Sequence, residues 1–392
     1  MKGEKRRCWN QDTVVALVLG IVLFFGGLIP IFAVSDIGLP TSPSQVGVQA
    51  EPGYIYSFPS DHGSHDIYGL EWWYFTGHLF SDAGRRFGYE LTFFRKALDL
   101  PHVQEKTSRW AMTQLYFAHF ALTDVELKTF HIAEKLSRAG LGKAGADTGR
   151  LDVWIDQWAV RSASPDHQVF ELRAAARGFG LDLQLNLEKA PVIHGQEGVS
   201  RKGADSGQAS HYYSLTRLAT KGQVTVGDKA MKVSGQSWMD HEFGSGELGD
   251  DQVGWDWFSL QFDSQMELMV YLLRKQDGTY DAASSGTLIF PDGRSQHLQL
   301  KDVGIEVQKY WISPNSQARY PSQWVLKVPS AQLSLQIHPV LDNQELRTTK
   351  STNVTYWEGA VDVNGQHRGR SVQGRGYVEL TGYAGQLKMD RN

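Results

Sequence analysis

A carboxylate, an imidazole and a second carboxylate stand side by side in the stretch Trp238-Met239-Asp240-His241-Glu242-Phe243-Gly244. Groups of these kinds move protons. A carboxylic acid kept neutral by burial is a proton donor, and a like-charged neighbour raises its pKa further. Successive side chains of a strand point to opposite faces, so Trp238, Asp240 and Glu242 share one face and His241 takes the other. Asp240 and Glu242 can then line one pocket, one as acid and one directing water. Asp240, His241 and Glu242 are therefore the candidate catalytic residues. The same triplet could instead be a hydrogen-bonded lock at a strand end. A metal site fits less well, because Asp240 and His241 face apart unless the strand bulges. No metal ligand set is assigned.

Aromatic residues cluster around this stretch in the sequence. Trp238, Trp255 and Trp257 are candidate ligand-binding residues, since aromatic faces stabilise positive charge. So are Trp72, Trp73 and Tyr74 of Glu71-Trp72-Trp73-Tyr74-Phe75, where Trp72 and Tyr74 share one face and Trp73 and Phe75 the other. Core packing is the competing explanation for such two-sided aromatic burial. Glu71, Glu90 and Arg95 form a candidate buried ion cluster. His119 stands in an otherwise apolar strand as a buried histidine or a base. These four are the supporting residues.

The elements that carry these residues are strands. Gly88–Phe94, Leu115–Ala121 and Leu181–Leu187 alternate with period two, and turn pairs recur at Asp277-Gly278, Asp292-Gly293 and Asn364-Gly365. The one candidate helix, Thr129–Ala139, is short. Gly195–Gly207 reads as a long polar loop. Segments repeat in order: Glu71–Phe75 with Trp255–Ser259, Phe170–Leu187 with Trp324–Ile337, and Val233–Trp238 with Val372–Tyr377. In the last pair each position lies 139 after its counterpart, from Val233 to Val372 and from Trp238 to Tyr377. Glu379 takes the place of Asp240, while Leu380 and Thr381 replace His241 and Glu242. The expected fold is all-β, with two tandem antiparallel barrels over residues 54–250 and 251–390. A barrel of about eight strands holds one small ligand in its mouth.

The 392 residues carry a net charge of -4 with interspersed signs, which gives no nucleic-acid footprint. The single cysteine, Cys8, excludes an intrachain disulfide. No phosphate loop, dinucleotide fingerprint or Gly-x-Ser-x-Gly is present, so no cofactor is expected, and this and the β-rich pattern argue against an α/β-hydrolase. Lys2, Lys5, Arg6 and Arg7 precede an uncharged apolar run over residues 14–34, near the roughly 20 residues that span a bilayer. Residues 1–35 are thus a membrane anchor or a cleaved signal segment, and 36–53 a flexible linker. Both readings place the body outside the cytoplasm, on the periplasmic side of an inner or plasma membrane.

Ser60-Asp61-His62-Gly63-Ser64-His65, Glu71–Leu79, Trp238–Gly244 and Gly254–Phe258 resemble the signatures of the carotenoid 1,2-hydratase (hydroxyneurosporene synthase) and AttH-like family. The resemblance covers about residues 54–390 and implies two lipocalin-like barrels. The family's hydratases add water to a terminal alkene of an acyclic carotenoid. Other members are called secreted hydrolases or accompany membrane transport systems, and related double-barrel proteins cyclise polyenes. Three readings follow. The chain is a membrane-tethered binder of a hydrophobic lipid or isoprenoid, a cofactor-independent hydratase, cyclase or isomerase with Asp240 as proton donor, or an accessory factor of a membrane transporter.

Overall fold

The computed structural model of the protein describes residues 48–98, 113–205, 207–244 and 248–385. The expected anchor and most of the linker lie outside these residues. Among the described residues no helix is long and apolar enough to cross a membrane.

Two curled, nearly closed antiparallel sheets make up the structure. The first contains β1 (Leu70–Ser81), β2 (Arg86–Ala97), β3 (Gln114–Asp124), β4 (Thr129–Arg138), β5 (Ala144–Ala146), β6 (Asp152–Ile155), β7 (Trp158–Ser162), β8 (Val169–Ala176), β9 (Phe179–Leu187), β10 (Val192–Ile193), β11 (Ser200–Arg201), β12 (Ala209–Val226) and β13 (Lys229–Gly244). Its main path runs β4-β3-β2-β1-β13-β12-β9-β8-β7-β6-β5, with β10 and β11 paired to β12. The second contains β14 (Gln252–Phe262), β15 (Glu267–Lys275), β16 (Ser285–Ile289), β17 (Ser295–Gln299), β18 (Gly304–Ile312), β19 (Arg319–Val328), β20 (Leu333–Pro339), β21 (Glu345–Thr348), β22 (Val354–His367) and β23 (Arg370–Leu380). Its path is β17-β16-β15-β14-β23-β22-β20-β19-β18, with β21 on β22. The run β2-β1-β13-β12-β9-β8 thus has its counterpart in β15-β14-β23-β22-β20-β19, in the order of the sequence echoes.

Strand β9 shows how alternation builds a barrel wall. Leu181, Leu183 and Leu185 are buried in the first core with Val160, Phe170 and Leu172, while Asp182 faces solvent. Phe258, Trp324, Leu335 and Val378 belong to the second core. Strands β1 and β13 differ, because the second barrel covers their outer face. Trp238, Tyr74, Trp257, Met269 and Tyr377 pack there as a third apolar cluster.

Polar contacts reinforce this junction. His78 donates from Nε2 to the Gly376 carbonyl at 2.8 Å, so its Nδ1 accepts from Arg86 at 3.1 Å, and Arg86 also pairs with Asp362 at 2.8 Å. Arg217 and Lys189 both reach Glu267, at 2.7 and 2.8 Å.

Two local expectations fail for tertiary reasons. Thr129–Ala139 is not helical; residues 129–138 form β4, paired in register along β3. Asn364-Gly365 is not a turn but lies inside β22, where a Cβ on Gly365 would fall 2.2 Å from the Ser334 carbonyl oxygen. The turn comes later, at Arg368 and Gly369, both with positive φ.

Gly88 sets the spacing between the barrels. A Cβ there would lie 2.7 Å from Ala360 Cβ and 2.8 Å from the Tyr377 hydroxyl. Overpacking of this kind costs about 1–3 kcal/mol. Gly88→Val is expected to lower stability by that amount in urea unfolding; an unchanged midpoint would show that the junction is loosely packed.

Candidate active site between the barrels

The register of β1 and β13 sets Tyr74 opposite Asp240 and Trp72 opposite Glu242. All four side chains point outward from the first barrel into a cavity of about 340 Å³. Trp255, Trp257, Tyr271, Glu358 and Glu379 of the second barrel line its other side. The expected pocket in a barrel mouth is thus replaced by one between barrels, because the barrel interiors hold the two apolar cores.

Asp240 is buried, and three donors converge on it. Trp238 Nε1 and the Tyr212 hydroxyl donate at 2.6 Å each, and the Ser214 hydroxyl makes a short contact. Trp257 Nε1 donates in turn to the Tyr212 oxygen at 3.0 Å. Burial raises the Asp240 pKa to about 7, with the Glu242 charge adding to it and the three hydrogen bonds opposing it. Glu242 has a cation instead: Lys202 Nζ lies 2.8 Å from it, and Ser210 donates to the same oxygen. Burial disfavours the Lys202 charge, but Glu242 outweighs it and keeps the amine ionised.

The second barrel contributes acids of its own. Glu358 and Glu379 are direct cross-strand neighbours on β22 and β23, where two like charges repel. Glu358 accepts one hydrogen bond from the Tyr74 hydroxyl at 2.6 Å, and Glu379 accepts one from Trp255 Nε1 at 2.8 Å. Burial pushes the Glu379 pKa to about 7 and that of Glu358 well above the carboxylate range, helped by neighbouring carboxylates. Glu90 is buried behind them, bonded to Thr92, with no hydrogen bond to its second oxygen among the described residues.

The remaining sequence candidates divide by strand face. Trp238 packs in the junction and holds Asp240. Trp73 does not line the cavity; it lies in the first core, stacked on His241 at 4.8 Å. His241 is likewise removed from Asp240 and Glu242, donating from Nε2 to Glu71 at 2.8 Å inside the barrel. Glu71 and Arg95 form a fully buried pair at 2.8 Å, but Glu90 belongs to the opposite face and is no part of it. His119 lines the far end of the cavity. Ser351 donates to Glu134 at 2.6 Å, so it accepts from His119 Nε2, and the Tyr356 hydroxyl donates to His119 Nδ1 at 2.8 Å. Burial lowers the His119 pKa to about 3. Lys202 and Glu358 were not anticipated. Lys202 lies in the loop at Gly195–Gly207, and no motif surrounds Glu358; only the shared 139-residue echo pointed to Glu379.

His65, Glu71 and His241 bring potential metal-ligand atoms within 4.8 Å of one another. Glu71 already receives both imidazoles, each at 2.8 Å, and Arg95 occupies its other oxygen. Asp61 Oδ1 takes the remaining nitrogen of His65 at 3.2 Å, and Nδ1 of His241, left as an acceptor, lies 3.1 Å from the Tyr213 hydroxyl. The set works as a polar lock. Burial opposes the Glu71 charge, but the two imidazoles and Arg95 outweigh it and hold the carboxyl below its usual range.

The AttH-like family profile matches residues 49–383. The chain belongs to the AttH-like family. The crystal structure of an AttH from Nitrosomonas europaea superposes with a TM-score of 0.77 at 32% identity, covering 86% of this chain and 99% of that one. Kievitone hydratase of Fusarium solani subsp. phaseoli is 24% identical over 271 residues, 67% of this AttH-like chain and 74% of the hydratase. The structure of kievitone hydratase from Nectria haematococca shares the fold at a TM-score of 0.64 and 16% identity, over 88% of this chain and 98% of that one.

Two outcomes are expected. Glu71→Gln leaves Arg95 buried without its counter-charge and should cost about 3–5 kcal/mol in chemical denaturation; a loss below about 1 kcal/mol would contradict the lock. The raised carboxyls give a signed pH dependence. Folded Asp240 and Glu379 keep protons that the unfolded chain releases above about pH 4, so their contribution falls as pH rises from there to about 7. Relative to wild type, Glu379→Gln should therefore gain about 3 kcal/mol between about pH 4 and pH 8, read from denaturation midpoints; parallel pH curves would refute the shift.

Proposed function

We propose that the chain is a cofactor-independent hydratase that adds water to an alkene of an apolar, isoprenoid-type compound by acid catalysis. The carrying observation is that carboxyls titrating near neutrality line an aromatic cavity, Asp240 and Glu379 among them, while Lys202 pairs with Glu242 at 2.8 Å. Protonation of an alkene carbon generates a cation on its neighbour. The faces of Trp72, Trp255 and Trp257 would stabilise that cation until water attacks. A carboxylate then takes the proton that water loses, so the reaction needs no external reagent. The relationship to kievitone hydratase supports this assignment, since that relative is named for the same class of reaction. The apolar run at residues 14–34 would hold the cavity beside the bilayer in which such substrates dissolve.

A carrier for the same ligands is the second reading, favoured by the apolar lining of the cavity. The two separate in one experiment. The full-length protein is incubated with farnesol, geranylgeraniol and a prenylated phenol in heavy-oxygen water, and products are analysed by mass spectrometry. A hydratase incorporates one labelled hydroxyl. Asp240→Asn should lower that rate by about 10²–10⁴-fold while leaving ligand retention in native mass spectrometry intact. Retention without labelling in wild type would establish the carrier and end the hydratase proposal.

A further inference from the structure

The two walls of the cavity differ in how they treat a negative charge. On the first-barrel wall, three donors point at Asp240 and a lysine at Glu242. An ionised carboxylate offers about four acceptor sites, so Asp240 has three filled and about one left for a water proton. On the second-barrel wall the donors are scarce. Glu358 and Glu379 receive one hydrogen bond each and face one another across β22 and β23. Glu90 behind them leaves one oxygen without a hydrogen bond among the described residues. Hydrogen bonds to the charged form favour ionisation, and like charges oppose it. The first wall is therefore built for anions and the second for neutral acids.

We infer that Glu379, from the second repeat, is the proton donor of this site and that Asp240, singled out by the sequence, is the base that receives the proton from water. This rests on the hydratase reading and assigns its two proton transfers. Glu379 suits the donor role better than Glu358, which is only 1% exposed, whereas Glu379 is partly open to the cavity. Trp255 occupies Oε2 of Glu379, which leaves Oε1 for the proton.

The step balances. The Glu379 O–H bond breaks as the alkene π pair forms a C–H bond. The adjacent carbon becomes a cation, the water oxygen bonds to it, and the water's second bond to hydrogen breaks in favour of Asp240. The products are an alcohol, a Glu379 carboxylate and a neutral Asp240, and one proton returned from Asp240 to Glu379 completes the cycle. Because both groups titrate near pH 7 and the Asp240 charge bears on Glu379, the pair loses protons in two steps. Between those steps the single proton rests on the residue whose anion has fewer donors. Glu90, Glu358, Glu242, Lys202, Tyr74 and Tyr356 are other charged or titratable groups around Glu379.

Infrared difference spectroscopy near neutral pH tests the assignment without any substrate. Glu379→Gln should remove one protonated-carboxyl band, while Asp240→Asn removes a carboxylate band and leaves the protonated-carboxyl region unchanged. Both substitutions are near-isosteric, and circular dichroism confirms the fold. The reverse pattern, or loss of the band only in Glu358→Gln, overturns the proposal. Kinetics on whichever probe alkene is hydrated give a second readout. A general acid must be protonated, so the alkaline limb of the pH-rate profile should disappear in Glu379→Gln and the acidic limb in Asp240→Asn. Exchanged limbs reject the assignment. If no probe is hydrated, the function proposal fails, yet the infrared result still decides which carboxyl holds the proton.

Discussion

Strands β1 and β13 are buried on both faces, and the site depends on that constraint. One face closes the first barrel and the other meets the second barrel, so every alternate side chain goes to a different interior. Glu71, Trp73 and His241 go inward, where Arg95 and Asp61 complete a polar lock. Trp72, Tyr74, Asp240 and Glu242 go outward, into the cavity. Locking the barrel and lining the cavity, both done by one motif, are thus separated by a single peptide unit. A one-residue register slip would exchange them and bury the acids in the barrel core.

Burial sets the electrochemistry of the cavity. A carboxylate moved away from water either finds donors or takes up a proton. The first barrel supplies donors from Trp238, Tyr212, Ser214 and Lys202, some of which are themselves supported by residues of the other half. Trp257 holds the Tyr212 oxygen, and Thr287 bonds His194, which reaches Ser214 at 2.6 Å. The second barrel supplies few donors. One strand path, used twice, therefore carries two unlike walls. Asp240 and Glu379 occupy equivalent positions, yet three donors surround the first and one the second.

Period-two alternation made the all-β class readable, and the ordered echoes revealed the repeated strand path. Alternation also divided Asp240 from His241 and Trp72 from Trp73 correctly by face. What it could not supply was the identity of each face's neighbour. Trp73 looked like a ligand contact because nothing local distinguishes a barrel interior from a cavity wall. Lys202 sits in a Gly-rich loop whose path is fixed by the short pairing of β11 with β12, a tertiary fact. Glu358 becomes a site residue only through its cross-strand position beside Glu379. Asn364-Gly365 has the composition of a turn, but β20 runs beside it and the strand continues. In each case the deciding contact comes from residues remote in sequence.

Gly88 bears on how such a molecule can diverge. Its missing side chain admits Ala360 and Tyr377 from the other barrel, and these flank the acids of β22 and β23 along the chain. Here a change of bulk on either side of this contact must be answered on the other, because the cavity walls are held at that spacing. The two barrels are thus fitted as one unit, and exchanging a single barrel with a relative would import half of a fit.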